Sequence, residues 1–116
     1  MEEHVSPDGL LRFRVVTSED GDVTLGFDGF PWHTHADLLA ATHGLSETEA
    51  IRQFVVDLVS GLSVIVLWTV AGEVRDVWVS DDPIGDSGYA SSNFASPGES
   101  VVLRYWDGRM WSAELS

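Results

Sequence analysis

Two histidines separated by a single residue lie in the stretch of the chain that is the first candidate for a ligand-binding or catalytic site. His33 and His35 follow a corner that contains glycine and proline, and they precede a predicted helix. Imidazole and carboxylate groups are ligands of zinc and similar divalent ions. On an extended segment the side chains of such a pair point to the same side, whereas on a helix their directions differ by about 200°. This corner is therefore a candidate small-molecule, metal-binding or enzymatic site, built from Asp28, Trp32, His33, His35 and Asp37.

The same histidines also have a structural interpretation, in which His33 packs beside Trp32 and His35 is solvated. An H-x-H pair is a weaker signal than H-E-x-x-H, whose spacing fixes both ligands on one helix face. A neutral His35 near Asp28 could serve as a base. However, no serine lies in a G-x-S-x-G context. The sequence therefore favours a non-enzymatic protein, and we assign no catalytic residue, no metal ligand and no cofactor.

A second candidate site lies in a long polar loop over residues 81–99, which is rich in Asp, Ser, Gly and Pro. Loops of this length in a small domain are usually functional or mobile. Its aspartates lack the ligand spacing and the closing glutamate of an EF-hand loop. Exposed aromatic side chains beside acids are typical of protein-binding hot spots, although they could instead fold back over a sheet. We predict that this loop binds a partner through Asp81, Asp82, Asp86, Tyr89 and Phe94.

The charge of the chain is strongly one-sided. Acidic residues number 19 and basic residues 6, all of them arginine, for a net charge of −13. Such a surface repels phosphate groups, so we expect neither nucleic acids nor anionic membranes as partners. It attracts a basic protein partner, because complementary charge steers the encounter. The alternative is that the acidity only maintains solubility.

Periodicity and turn signals predict one α+β domain over residues 1–116, with 1–9 as a loose N-terminal tail. Apolar runs predict six strands, at 10–17, 23–27, 62–70, 73–80, 100–106 and 110–115. Irregular alternation in the fourth strand predicts a β-bulge, and Asp107-Gly108 predicts a tight turn before the sixth. With two helices after the second strand, the order ββααββββ predicts a six-stranded, largely antiparallel twisted sheet with both helices packed on one face.

Capping signals define the two helices. Thr34 is the predicted N-cap of the first helix, and Gly44 is its predicted end. Ser46 and Glu49 form the S-x-x-E capping box of the second helix. The first helix therefore begins directly at the histidine pair.

Several features of the sequence predict a cytoplasmic location. The chain has no cysteine, which fits a reducing compartment. Its first four residues lack the basic and apolar regions of a signal peptide. The longest apolar-rich run, 62–71, is shorter than the roughly 20 residues that span a bilayer.

In size, acidity and α+β layout, the chain is similar in kind to small bacterial immunity-type proteins, which neutralise a toxin by binding it. The resemblance implies a small acidic protein-interaction domain that acts as an immunity-like or inhibitor-like binder of a basic protein partner. The main alternative is the small-molecule, metal-binding or enzymatic site at the 28–37 corner. In a third interpretation, an exposed edge strand forms a homodimer.

Overall fold

The computed structural model of the protein describes residues 2–86 and 98–111. These residues form seven strands and two helices in the order ββββααβββ. The strands are β1 (Glu2–Val5), β2 (Arg12–Thr17), β3 (Val23–Phe27), β4 (His33–His35), β5 (Ile65–Val70), β6 (Glu73–Val79) and β7 (Glu99–Arg104). The helices are α1 (Ala36–His43) and α2 (Glu47–Val59), and a further helical turn occupies 83–86. No helix among these residues has the length and apolar character needed to cross a membrane.

The strands form two antiparallel sheets rather than one. Sheet A has the order β1-β2-β3-β4, and sheet B has the order β6-β5-β7. The predicted α+β class with antiparallel pairing is confirmed, but the single six-stranded sheet and the order ββααββββ are wrong. Both helices lie between β4 and β5 in the chain, so each sheet uses only strands on one side of them. Strands on the same side of the helices are joined by shorter loops than strands on opposite sides. Their pairing therefore costs less conformational entropy.

One hydrophobic core joins the two sheets. Fully buried side chains reach it from sheet A, from α2 and from sheet B, namely Phe13, Leu25, Leu58, Ile65 and Val77. Burial of each such side chain contributes roughly 1.5–3 kcal/mol. The shared core therefore holds the sheets against each other and fixes the surface where they meet.

The first residues of the chain are paired rather than loose. β1 runs antiparallel to β2, with His4 opposite Phe13. The Glu3 carboxylate accepts hydrogen bonds from Arg12 at 3.3 Å and from Arg14 at 3.1 Å. The predicted loose tail over residues 1–9 is therefore wrong for residues 2–5. The ion pairs and the open edge of β2 recruit this segment into sheet A.

The helix caps follow the sequence except at one position. Ser46 Oγ accepts a hydrogen bond from the Glu49 amide at 3.2 Å, which confirms the cap of α2. Gly44 adopts the left-handed conformation, with φ of 65°, and ends α1 as predicted. Thr34 is not the N-cap of α1, because the helix begins at Ala36 and the cap position therefore falls on His35, the last residue of β4.

Sheet B contains the predicted bulge. Trp68 lies opposite Asp76, and the next residue, Thr69, lies opposite Val74. Arg75 is thus the extra residue in β6. β5 is the central strand of this sheet, as its continuous apolar sequence predicted.

The tight turn before the last predicted strand is also present. The Tyr105 amide donates to the Arg109 carbonyl at 2.8 Å, and the Gly108 amide donates to the Tyr105 carbonyl at 3.0 Å. A single antiparallel bridge then joins Arg104 to Met110. Most of the predicted sixth strand, residues 112–115, lies outside the described residues.

Candidate functional site

The histidine pair lies on a short edge strand that the sequence did not predict. β4 pairs with β3, so that His33 lies opposite Gly26 and His35 lies opposite Thr24. Because strand residues two apart share a face, both imidazoles project from the same face of sheet A. A Cβ on Gly26 would lie 2.9 Å from the Trp32 carbonyl oxygen, so this position requires glycine for β4 to approach.

Each imidazole has one nitrogen held by an oxygen acceptor. His33 Nδ1 lies 3.1 Å from the Pro31 carbonyl oxygen, and His35 Nδ1 lies 3.2 Å from Asp22 Oδ2. The two ring centroids are 5.1 Å apart, with the ring planes at 85°. Sequence reasoning did not identify Asp22, because that residue lies 13 positions from His35, in the β2–β3 turn.

The two acids assigned to this corner are engaged elsewhere. Asp28 Oδ1 accepts a hydrogen bond from Arg14 Nη1 at 3.0 Å. Asp37 Oδ1 accepts one from the Leu38 amide at 2.9 Å, within the first turn of α1. Of the five predicted residues, the structure therefore brings Trp32, His33 and His35 together on one short segment. Asp28 shares only a shallow groove of about 310 Å³ with His33, on the outer face of sheet A.

The acids of the second candidate site have mainly structural contacts. Asp82 Oδ1 accepts a hydrogen bond from the Gly85 amide at 3.1 Å and so caps the helical turn at 83–86. Asp86 Oδ2 accepts one from Ser80 Oγ at 2.5 Å. Asp81 is exposed, and no ion pair within the described ranges involves it. The other two predicted partner-binding residues, Tyr89 and Phe94, lie outside the described residues.

The two predicted sites meet in one depression, which we call the seam cleft because it lies where sheet A, α1 and sheet B come together. Its first part measures about 360 Å³ and is lined by Trp32, His33, Thr34, Trp78, Val79, Asp81, Asp82 and Asp86. Its second part measures about 570 Å³, shares Trp32, Thr34, Val79 and Asp81 with the first, and continues over Leu39 and Phe54. Residues that are about 50 positions apart in sequence thus line the same surface.

A hydrogen bond that the sequence did not reveal joins Trp32, which lines the seam cleft, to sheet B. The Trp32 amide donates a hydrogen bond to Asp76 Oδ1 at 3.2 Å, and the same oxygen accepts the Val77 amide at 2.9 Å. Asp76 follows the bulge of β6. The irregular alternation there was the available signal, although it could not name the partner 44 residues away.

The described residues provide no group of three or more His, Cys, Asp or Glu side chains that could hold a metal ion. The carboxyl groups whose pKa is lowered by hydrogen bonds, Asp8, Asp20 and Asp107, do not line the cleft. Ser80 is bonded to Asp86, and the described hydrogen bonds place no histidine on this serine. The described lining of the seam cleft combines apolar side chains, among them Trp32, Leu39 and Phe54, with the carboxyl groups of Asp81, Asp82 and Asp86.

Comparisons of the chain with protein-family models, with curated proteins and with solved structures found no match.

Proposed function

We propose that the protein is a small acidic protein-interaction domain that receives a basic segment of a partner protein in the seam cleft. The observation that carries this proposal is the combination of an apolar floor with carboxylates that have no cationic partner within the described residues. A cytoplasmic, bacterial-type immunity-like or inhibitor-like binder is the class of protein that such a surface fits.

The floor of the cleft suits the stem of a long cationic side chain. Trp32, Leu39, Phe54 and Val79 are each half-buried, so part of their apolar surface remains accessible. Leu38, on the same wall, is 58 % exposed. Lysine and arginine bury their methylene stems on such surfaces while the charged head stays solvated. A cation can also lie over the face of an indole ring.

The rim of the cleft supplies uncompensated negative charge. Within the described ranges, no arginine lines it. Five of the six arginines form ion pairs with acids at other places, namely Arg12, Arg14, Arg75, Arg104 and Arg109. The negative charge of Asp81 and Asp82 is therefore not neutralised by an arginine within the described residues and can attract a basic partner. The net charge of −13 adds long-range attraction.

Charge reversal at the rim tests the proposal. A fluorescent lysine- and arginine-rich peptide is titrated with the wild type, with Asp81→Lys and with Glu19→Lys. Glu19 is exposed in the β2–β3 turn and does not line the cleft, so both variants change the net charge equally. We expect Asp81→Lys to weaken binding about tenfold more than Glu19→Lys, which equals about 1.4 kcal/mol. Equal losses in the two variants would mean that the peptide responds only to overall charge.

A further inference from the structure

The edge strand β4 presents two imidazoles side by side on a rigid backbone. β4 is paired with β3, and His35 keeps an extended conformation (φ −118°, ψ 144°) directly before α1. We propose that His33 and His35 form a two-histidine site for a borderline divalent transition-metal ion such as Zn²⁺ or Ni²⁺. His33 also lines the seam cleft, but the metal site does not depend on the proposed protein-binding function.

The hydrogen bonds of the two rings prepare them as ligands. A backbone carbonyl and a carboxylate can only accept, so the Nδ1 atoms of His33 and His35 are the donors in these contacts. In the neutral form of each ring, this arrangement leaves the lone pair on Nε2. Histidines that ligate metals almost always donate their other ring N–H to a carboxylate or a backbone carbonyl. Asp22 and the Pro31 carbonyl occupy those two roles here.

The spacing of the rings also fits one ion. In a tetrahedral site, zinc lies about 2.0–2.1 Å from each imidazole nitrogen, which places the ring centroids about 5 Å apart. The observed separation is 5.1 Å, with the ring planes nearly perpendicular. The small residues opposite the pair, Thr24 and Gly26, leave this face uncovered, and His33 is exposed. An ion can therefore reach the pair from solvent.

The surroundings determine which ions are suitable. Because the described residues supply only these two ligands, water fills the remaining positions, and affinity follows the order Ni²⁺ < Cu²⁺ > Zn²⁺. Mg²⁺ and Ca²⁺ prefer oxygen ligands and are not suited to the pair. The positive end of α1 opposes a cation beside His35. The carboxylates of Asp22 and Asp37 and the net charge of −13 counteract that effect.

Calorimetric titration of untagged, chelator-treated protein with Zn²⁺ and with Ni²⁺ tests this inference. We expect one ion per chain for the wild type, the loss of that binding in His33→Ala/His35→Ala, and its retention in the matched control His4→Ala/His43→Ala. Asp22→Asn should weaken binding at least about tenfold while the unfolding temperature stays unchanged, because it removes the charge that supports His35. Absence of binding in the wild type, or binding that survives in His33→Ala/His35→Ala, would overturn the inference.

Discussion

The backbone amide of Trp32 donates a hydrogen bond to Asp76 Oδ1 across 3.2 Å. This contact ties the corner before β4 to the bulged strand β6, and therefore links sheet A to sheet B at Trp32, which lines the seam cleft. The two residues are 44 positions apart. The position of the Trp32 side chain in the cleft thus depends on a carboxylate in the other sheet.

Removal of that carboxylate should loosen the seam. Asp76→Ala leaves the amides of Trp32 and Val77 without their side-chain acceptor. We expect the free energy of unfolding to fall by about 1–3 kcal/mol. Urea unfolding followed by tryptophan fluorescence measures this change. Glu73→Ala, an exposed position on the same strand, is the control, and an equal loss there would contradict a specific role for Asp76.

The ion pair between Arg104 and Asp8 should make stability depend on pH. Arg104 is 5 % exposed, and its Nη1 lies 2.6 Å from Asp8 Oδ2. The hydrogen bond from Arg104, followed by that from Ser6, holds the pKa of Asp8 well below its usual range. A carboxyl whose pKa is depressed on folding stabilises the fold above its unfolded pKa of about 3.9. That stability is lost as the pH falls further, toward the folded pKa.

Asp8→Asn isolates this contribution. At pH 7 the free energy of unfolding of the variant should be lower by about 2 kcal/mol, because Arg104 loses its charged partner. Solvent screening limits the size of this loss, because Asp8 is only partly shielded from solvent. Below pH 3 the difference from the wild type should become smaller, because Asp8 is then protonated in the unfolded wild type but still ionised in the folded protein, which favours unfolding. Urea unfolding at pH 7 and at pH 2.5 compares the two proteins. A difference that is the same at both pH values would show that the charge of Asp8 has no role.

The close approach of β4 to β3 should depend on the missing side chain at Gly26. In Gly26→Ala, the new Cβ would meet the Trp32 carbonyl oxygen at 2.9 Å and His33 Cβ at 3.3 Å. We expect a loss of about 1–3 kcal/mol from overpacking and a displaced His33 imidazole signal in NMR spectra. Thr24→Ser, on the same face of β3, should leave both readouts unchanged. A stable Gly26→Ala protein with unshifted imidazole signals would contradict this packing.

The cap of α2 gives a further test of local structure. Ser46→Ala removes the hydroxyl that accepts from the Glu49 amide, and should lower the unfolding free energy by about 1 kcal/mol. Thr48→Ala, an exposed change one residue inside α2, is the matched control. Thermal unfolding followed by circular dichroism is sufficient for the comparison. Equal effects from the two substitutions would rule out a specific cap.

Features that depend on neighbouring residues were predictable from the sequence. The cap at Ser46, the helix end at Gly44, the presence of a bulge in β6 and the turn at Asp107-Gly108 all arise from backbone geometry within a few residues. β4 was missed because three residues are too few to show a period. The expected cap at Thr34 then failed, since β4 extends through His35 and α1 begins only at Ala36, which moves the cap one residue along the chain.

Features that depend on distant residues were not predictable. The division into two sheets follows from which strand edges meet across the helices, and no local pattern specifies that choice. His33 and Asp81 were assigned to separate sites because nothing in the sequence indicates that they line one cleft. The hydrogen bonds of His35 with Asp22 and of Trp32 with Asp76 also join residues that are distant in sequence, so they were not predictable either.

The most direct test of the seam cleft as a protein-binding surface is an NMR titration of isotopically labelled protein with a short lysine- and arginine-rich peptide. We predict saturable chemical-shift changes confined to the Trp32, Val79 and Asp81 amides and the Trp78 indole. The same resonances should shift when the titration is repeated at moderate salt. Shifts spread evenly over the acidic surface, including the exposed turn at Glu19, would contradict the proposal and indicate attraction by net charge alone.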